Sequence, residues 1–105
     1  MNRDELRRLI RGIVVVTVTP FDDDFELDLG RMAEHTEFLV ENGLIDGRAV
    51  LKVVSVMGEF PSLADDEWPH VVRTVVRAAN GRVPVISAVH GKDTRRTIED
   101  ALKAQ

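Results

Sequence analysis

Apolar residues recur along this chain with two spacings that alternate from segment to segment. Apolar positions three or four residues apart indicate a helix, and this spacing occurs in the segments 6–10, 29–42, 66–80 and from 93 or 94 onward. Mainly apolar runs without alternation lie between these helices, at residues 12–18, 49–55 and 83–89. A strand is apolar without alternation when it belongs to a parallel sheet that helices cover. The pattern therefore predicts an α/β fold in which strand and helix alternate.

Glycine, proline and polar residues predict where the two long helices begin and end. Gly43 suits the left-handed backbone that often follows a last helical turn. Pro69 is unfavourable inside a helix, and an N-cap at Asp66 places it in the first turn, where its missing N–H does no harm. Asn80 and Gly81 end the same helix. The second long helix is therefore expected to begin at about residue 66.

The last helix is predicted from its cap and from the start of an apolar stripe. Asp93 or Thr94 is the expected N-cap. Ile98, Ala101 and Leu102 begin the stripe, which we expect to pack on the rest of the chain.

The order of elements is strand–helix repeated three times, and such units of about 30 residues build parallel sheets. Three units do not close a barrel, which needs eight strands and typically ~250 residues. A small open sheet of flavodoxin type is an alternative, although the sequence has no phosphate-binding loop for it. Either arrangement leaves the edges of both outer strands unpaired, which is a hazard for association. The chain therefore has the pattern of part of a larger structure.

Composition narrows the class of protein only slightly. The 105 residues are 44% hydrophobic and 30% charged, with a formal net charge of −4, so neither nucleic acid nor an anionic membrane is an expected partner. The absence of cysteine excludes disulfides and thiolate chemistry. No apolar run nears the ~20 residues of a membrane span, and the first residues lack the apolar core of a signal peptide. A cytoplasmic protein is the expectation.

Five segments carry a resemblance to a known family. They are residues 17–21 (TVTPF), 38–43 (FLVENG), 58–63 (GEFPSL), 66–76 and 81–86 (GRVPVI). In this order they resemble the dihydrodipicolinate synthase/N-acetylneuraminate lyase family over nearly the whole chain. The resemblance implies that residues 1–105 form one N-terminal domain, the first three β/α units of an incomplete (β/α)8 TIM barrel.

The family resemblance also implies a chemistry. It implies a homo-oligomeric Schiff-base lyase or aldolase in which a buried lysine condenses with the ketone of a pyruvate-like 2-oxo acid, without a metal or other cofactor. Burial lowers the pKa of such a lysine and frees its amine for attack. The family's lysine and its proton-relaying tyrosine fall on the sixth and fifth strands, beyond Gln105, and this chain has no tyrosine. We therefore expect the chain alone to be inactive.

The resemblance assigns five substrate-binding residues to the chain. Thr17 and Thr19 lie at the carboxyl end of the first strand, the side on which barrel active sites assemble. Ser55, Gly58 and Glu59 occupy the corresponding loop after the second strand. The family's usual Gly-Thr-Thr-Gly-Glu is Ser-Val-Met-Gly-Glu here, so both threonine hydroxyls are missing. This departure argues against dihydrodipicolinate synthase proper more than against the family.

Each of these residues also has a purely structural interpretation. Thr17 and Thr19 would then make local hydrogen bonds at the strand end. Gly58 would provide a positive φ in a turn, and Glu59 would be an ordinary structural carboxylate.

Other polar residues give weaker indications. Lys52 lies mid-strand among apolar neighbours, where its charge must be paired, reach water or lose its proton. We expect an ion pair rather than a replacement Schiff-base amine. His90 and Lys92 follow the third strand and are expected to be solvated rather than to touch substrate. The scattered histidines and the acidic turn at residues 22–24 do not form a metal site.

A second hypothesis comes from a different class. The chain would be a non-catalytic truncated product that associates with copies of itself through its open sheet edges.

Overall fold

The helices and strands of this chain follow the alternation that its apolar pattern predicts. The computed structural model describes residues 1–91 and 93–105. Its elements are α1 (Arg3–Leu9), β1 (Ile13–Val16), α2 (Leu29–Glu41), β2 (Ala49–Val53), α3 (Trp68–Ala79), β3 (Val85–Ser87) and α4 (Thr94–Ala104). A short 3-10 helix, Phe60–Ser62, lies between β2 and α3. The α/β prediction is therefore confirmed.

The three strands form one parallel sheet in the order β1-β2-β3. Val16 of β1 lies beside Lys52 of β2, which in turn lies beside Ile86 of β3. Each strand is shorter than the apolar run that predicted it, because the last residues of each run belong to the loops at the carboxyl edge of the sheet. The structure therefore gathers the loops that follow the three strands at one edge.

The hydrophobic core lies between one face of the sheet and helices α2 and α3. The buried residues of this cluster are Met32, Val40, Ala49, Leu51, Val53, Val54, Trp68, Val71, Val75, Ala79 and Val83. Alternate residues of the strands point to the opposite side. We call that side the open face and define it by Val14, Val16, Lys52 and Ile86. Val14 is 49% exposed there, so β1 is apolar on both sides and the described residues leave Val14 partly uncovered.

The ends of α2 and α3 are largely as predicted. Gly43 has φ 94° after α2, and Asn80 has φ 48° at the end of α3. Pro69 lies in the first turn of α3, but the N-cap residue is Glu67, so the prediction of Asp66 is wrong. The Glu67 carboxylate accepts the backbone N–H of Ala64 at 2.8 Å. This contact closes a turn just before the helix and moves its start by one residue.

Helix α4 begins as predicted but packs through a different side. The Asp93 carboxylate caps it by accepting the N–H of Arg96 at 2.9 Å. Ile98 and Leu102 are 57% and 66% exposed, so the predicted packing stripe is wrong. Asp100 is buried instead, because α4 meets α3 with its polar side and nothing within the described residues covers the apolar side.

Across residues 1–91 and 93–105, the structure contains no helix with the length and apolar character that a membrane crossing requires.

Candidate functional site

The loops after β1 and β2 are tied together at the carboxyl edge of the sheet. The N–H of Thr17 donates to the carbonyl oxygen of Lys52 at 3.0 Å, which continues the β1–β2 ladder past the end of β1. The hydroxyl of Thr19 donates to the carbonyl oxygen of Gly58 at 2.5 Å. The structure thus brings four of the predicted site residues, Thr17, Thr19, Ser55 and Gly58, to one place.

The two threonine hydroxyls are engaged within the protein. Thr17 and Thr19 are both buried. The Thr17 hydroxyl donates to the Lys52 carbonyl at 3.3 Å, and that of Thr19 donates to Gly58. Since a hydroxyl has one proton to donate, neither of them keeps a donor for a ligand in this arrangement.

The turn at residues 55–58 keeps hydrogen-bond donors available. The carbonyl oxygen of Ser55 accepts from the N–H groups of Gly58 and Phe60, at 2.9 and 3.2 Å, and its hydroxyl oxygen accepts from Gly58 at 3.3 Å. Among the described residues, no hydrogen bond is donated by the Ser55 hydroxyl or by the N–H groups of Val56 and Met57. The turn therefore has three donors without a hydrogen-bond acceptor among the described residues.

Gly58 is required by close packing rather than by a positive φ. A Cβ at this position would lie 3.0 Å from the carbonyl oxygen of Thr17 and 3.3 Å from the nitrogen of Ser55. Left-handed backbone occurs instead on either side of the turn, at Val54 with φ 55° and at Glu59 with φ 63°. The interpretation of Gly58 as the positive-φ residue of the turn is therefore wrong.

Glu59 lies at a cavity between the two loops. The cavity has a volume of about 370 Å³ and is lined by Thr19, Phe21, Phe25, Glu59 and Ser62. The Glu59 side chain is exposed, and none of the hydrogen bonds of the described residues includes its carboxylate. Two aromatic rings and a carboxylate thus border a space beside Thr19, and the sequence pattern gave no indication of the aromatic pair.

His90 is more firmly held than a solvated loop residue would be. Its ring stacks on Phe60 with the centroids 4.2 Å apart, and its Nε2 lies 3.2 Å from the carbonyl oxygen of Val54. These contacts join the loops after β2 and β3 and border a second cavity of about 410 Å³, which Arg96 and Asp100 also line. Lys92, which was expected to be solvated beside His90, lies outside the described residues.

Lys52 is half-buried on the open face. The four ion pairs formed by the described residues do not include it, so the expected partner is not found within this part of the chain.

A parallel sheet with helices packed on it and loops gathered at its carboxyl edge is the architecture of the β/α units of α/β barrels. The model of the Dihydrodipicolinate synthetase family matches residues 9–105. The chain therefore belongs to that family.

Relatives and solved structures agree with this assignment. The 4-hydroxy-tetrahydrodipicolinate synthase of Staphylococcus carnosus is 31% identical over 100 residues, which are 95% of this chain and 32% of the relative. A chloride-inhibited dihydrodipicolinate synthase of Acinetobacter baumannii in complex with pyruvate gives a TM-score of 0.82 at 29% identity, over 90% of this chain and 31% of that chain. The N-acetylneuraminate lyase of Mycoplasma synoviae gives a TM-score of 0.80 at 29% sequence identity. The match covers 98% of this chain and 33% of that chain.

The chain spans about a third of the length of the relatives that it matches. Because these relatives are barrel enzymes, the prediction of an incomplete TIM barrel is confirmed.

Proposed function

We propose that this chain is the N-terminal domain of a Schiff-base lyase or aldolase that acts on a 2-oxo acid. In this proposal Thr17, Thr19, Ser55, Gly58 and Glu59 line the substrate site. The observation that carries it is the hydrogen-bonded junction of the loops after β1 and β2 at the carboxyl edge. Pyruvate in the Acinetobacter baumannii relative supports the class of substrate.

The substrate carboxylate would bind at the turn of residues 55–58. Its donors are the hydroxyl of Ser55 and the backbone N–H groups of Val56 and Met57, since the described hydrogen bonds leave these three free. Successive backbone N–H groups in a turn form a concavity that binds anions. In this proposal these three donors replace the two threonine hydroxyls that bind the carboxylate in the family's usual loop and that this chain lacks.

The other site residues have different roles in this proposal. Thr17 and Thr19 line the site as positioning residues, because their hydroxyls donate to the carbonyl of Lys52 in β2 and to that of Gly58 in the turn. Gly58 permits the close approach of the two loops. Glu59 faces the cavity of about 370 Å³ together with Phe21 and Phe25, where the second reactant would enter.

Catalysis would require the rest of the barrel. Imine formation needs an amine with a free lone pair, and the following carbon–carbon step needs a group that transfers a proton. The resemblance assigns these roles to a lysine and a tyrosine outside residues 1–105, and this sequence contains no tyrosine. The intact enzyme is proposed to be a homo-oligomer, as the family resemblance implies.

A chimera tests the proposed function. Residues 1–105 replace the matching segment of the Staphylococcus carnosus relative, and the chimera is incubated with pyruvate and borohydride, which reduces an imine to a stable amine. We expect an adduct of one pyruvate on a lysine of the relative's segment. The same treatment of the 105-residue chain is expected to leave its mass of 11.7 kDa unchanged.

The unmodified relative, carried through the same steps, serves as the control for trapping. A folded chimera that forms no adduct would contradict the proposed function. An adduct on the 105-residue chain alone would contradict its catalytic incompleteness.

The exposed apolar residues of β1 favour a second candidate, a non-catalytic chain that associates with its own copies. Ile13 is 65% exposed and lies on an outer strand of the sheet. Sedimentation of the chain and of its Ile13→Lys variant tests this candidate. A discrete oligomer that the variant dissociates would support it, whereas a monomer at all concentrations would exclude it.

A further inference from the structure

Lys52 introduces a positive charge into a sheet whose strands are otherwise uncharged. The strand residues are Ile13–Val16, Ala49–Val53 and Val85–Ser87, and Lys52 is the charged residue among them. Such a position has to be explained, because a charged side chain between apolar neighbours is costly unless it is paired or reaches water.

The side chain of Lys52 belongs to the open face. Leu51 and Val53, its neighbours in β2, are buried in the core beneath the helices, so the period of two directs Lys52 to the opposite side. Its partners in register are Val16 and Ile86. Lys52 therefore has an apolar residue beside it in register on each adjacent strand.

No carboxylate of the described residues forms an ion pair with Lys52. In this chain the open face gives the ammonium access to water, and the residue is half-buried. In the barrel relatives the matched segment is about 31% of the chain. The remaining strands of a closed barrel would enclose this face and remove that water.

An enclosed ammonium needs an anion. Taking an unpaired charge out of water is unfavourable, and a hydrogen-bonded counter-charge offsets this cost. Lys52 is the last β2 residue on the open face before the turn of residues 55–58, which holds the free donors of Ser55, Val56 and Met57. An anion at that turn would approach the ammonium from the carboxyl edge.

We propose that Lys52 binds the carboxylate of the 2-oxo acid as an ammonium ion. One carboxylate oxygen accepts from the turn and the other accepts from Nζ of Lys52, which requires no change in covalent structure. This assignment rests on the proposed function, and it gives Lys52 a binding role that is distinct from that of the Schiff-base nucleophile.

The three lysines of the chain allow a direct test. Reductive methylation with ¹³C-formaldehyde converts each lysine to a dimethylamine that keeps its charge but no longer forms an imine. The labelled 105-residue chain is titrated with acetate and with pyruvate, and the ¹³C signals are assigned from single Lys→Arg variants. We expect a saturating shift of the Lys52 signal with both anions and none with neutral acetamide.

Two variants separate binding from folding. Lys52→Met is expected to weaken acetate binding by about tenfold or more, because a hydrogen bond to a charged group is lost. Acetate binding is followed through the amide signals of residues 55–58. Lys103→Met is the matched control, because Lys103 donates to the carbonyl of Asp65 and lies 5.2 Å from the Trp68 ring, away from the open face. Circular dichroism of both variants verifies that they fold.

Equal shifts of Lys52 and Lys103, or no saturating shift of Lys52, would overturn this assignment. The pyruvate adduct of the chimera would be unaffected by that result, since it reports the nucleophile. Loss of the adduct with retained acetate binding at Lys52 would instead overturn the proposed function alone.

Discussion

Left-handed backbone at non-glycine residues is concentrated around the candidate site. Val54 and Glu59 enclose the turn of residues 55–58, and Phe25 lies at the tip of the loop after β1. A bulky residue in this conformation costs on the order of 1 kcal/mol or more and persists only where its surroundings enforce it. Phe25 is held there because the carboxylate of Asp22 accepts the N–H groups of Asp24 and Glu26, at 2.9 and 3.0 Å.

Replacement of Phe25 tests whether this backbone is strained. The φ of 63° suits glycine, and the ring is 87% exposed, so little packing is lost when it is removed. We expect Phe25→Gly to be more stable than Phe25→Ala by about 1 kcal/mol, because alanine retains the Cβ that opposes this φ. Urea denaturation of the two variants measures the difference. Equal midpoints would mean that the loop carries no strain at this residue.

The ion pair of Glu37 with Arg82 predicts a dependence of stability on pH. The hydrogen bonds from Arg82, at 2.8 and 2.5 Å, lower the pKa of Glu37 below its ordinary value of 4.5. Because the pKa of Glu37 is lower in the folded state, its ionised carboxylate stabilises the fold above pH 4.5. This stabilisation is lost as the pH falls through the folded-state pKa. Both side chains are substantially exposed, so the effect is modest and decreases with salt.

Glu37→Gln isolates this contribution. The variant is expected to be less stable than the parent chain at pH 7, and the difference is expected to be smaller at a second pH well below 4.5, because the stabilisation is lost as the pH falls through the lowered folded-state pKa. Urea midpoints at the two pH values measure it, with Glu34→Gln, which forms no ion pair among the described residues, as the control. A difference that is the same at both pH values would exclude an electrostatic origin.

At the scale of elements, α4 is attached to the protein mainly by polar contacts. Arg96 lies 3.3 Å from the nearly buried carboxylate of Asp100 and 3.1 Å from that of Asp65. Lys103 adds a hydrogen bond of 2.9 Å to the carbonyl of Asp65. Among the described residues nothing covers Ile98 and Leu102, so α4 depends mainly on its charged residues for its position.

Removal of the Arg96 guanidinium is expected to loosen α4. Arg96→Met leaves the Asp100 carboxylate buried without its partner, at a cost of about 1–2 kcal/mol once the partial exposure of Arg96 is allowed for. Amide hydrogen exchange should increase across α4 more than across α2. Asp65→Asn serves as the comparison because Asp65 is largely exposed, and it is expected to have a smaller effect. Equal exchange in both variants would contradict the role of the buried pair.

The helices and strands of the chain were predictable from the sequence, because local patterns determine them. Packing that depends on residues distant in the sequence was less predictable. Apolar spacing predicted the strands and helices, and Gly43 and Asp93 predicted two of the caps. The polar packing of α4 was missed because it depends on Asp65, which lies far away in the sequence. The positive φ proposed for Gly58 was wrong, because its constraint comes from the carbonyl of Thr17, 41 residues earlier.

At the scale of the whole molecule, the chain corresponds to about a third of a barrel relative. The remaining strands of such a barrel would cover its open face and add loops at its carboxyl edge. The family resemblance predicted the site residues, and the structure brings the loops that carry them together. Their roles in substrate binding remain predictions, because a site shared with the rest of a barrel depends on residues outside this chain. Ser55 is the most informative of them, since its hydroxyl proton has no acceptor among the described residues.

The most direct test of the account is the pyruvate concentration that half-saturates borohydride trapping in the chimera, with and without the Ser55 hydroxyl. Ser55→Ala is expected to raise this concentration by about tenfold, as for loss of a hydrogen bond to a carboxylate. Ser87→Ala, which removes a hydroxyl that donates to the carbonyl of Ala88 at 2.9 Å, is expected to leave it unchanged. Unchanged trapping in the Ser55→Ala chimera would contradict the claim that this chain provides the carboxylate site.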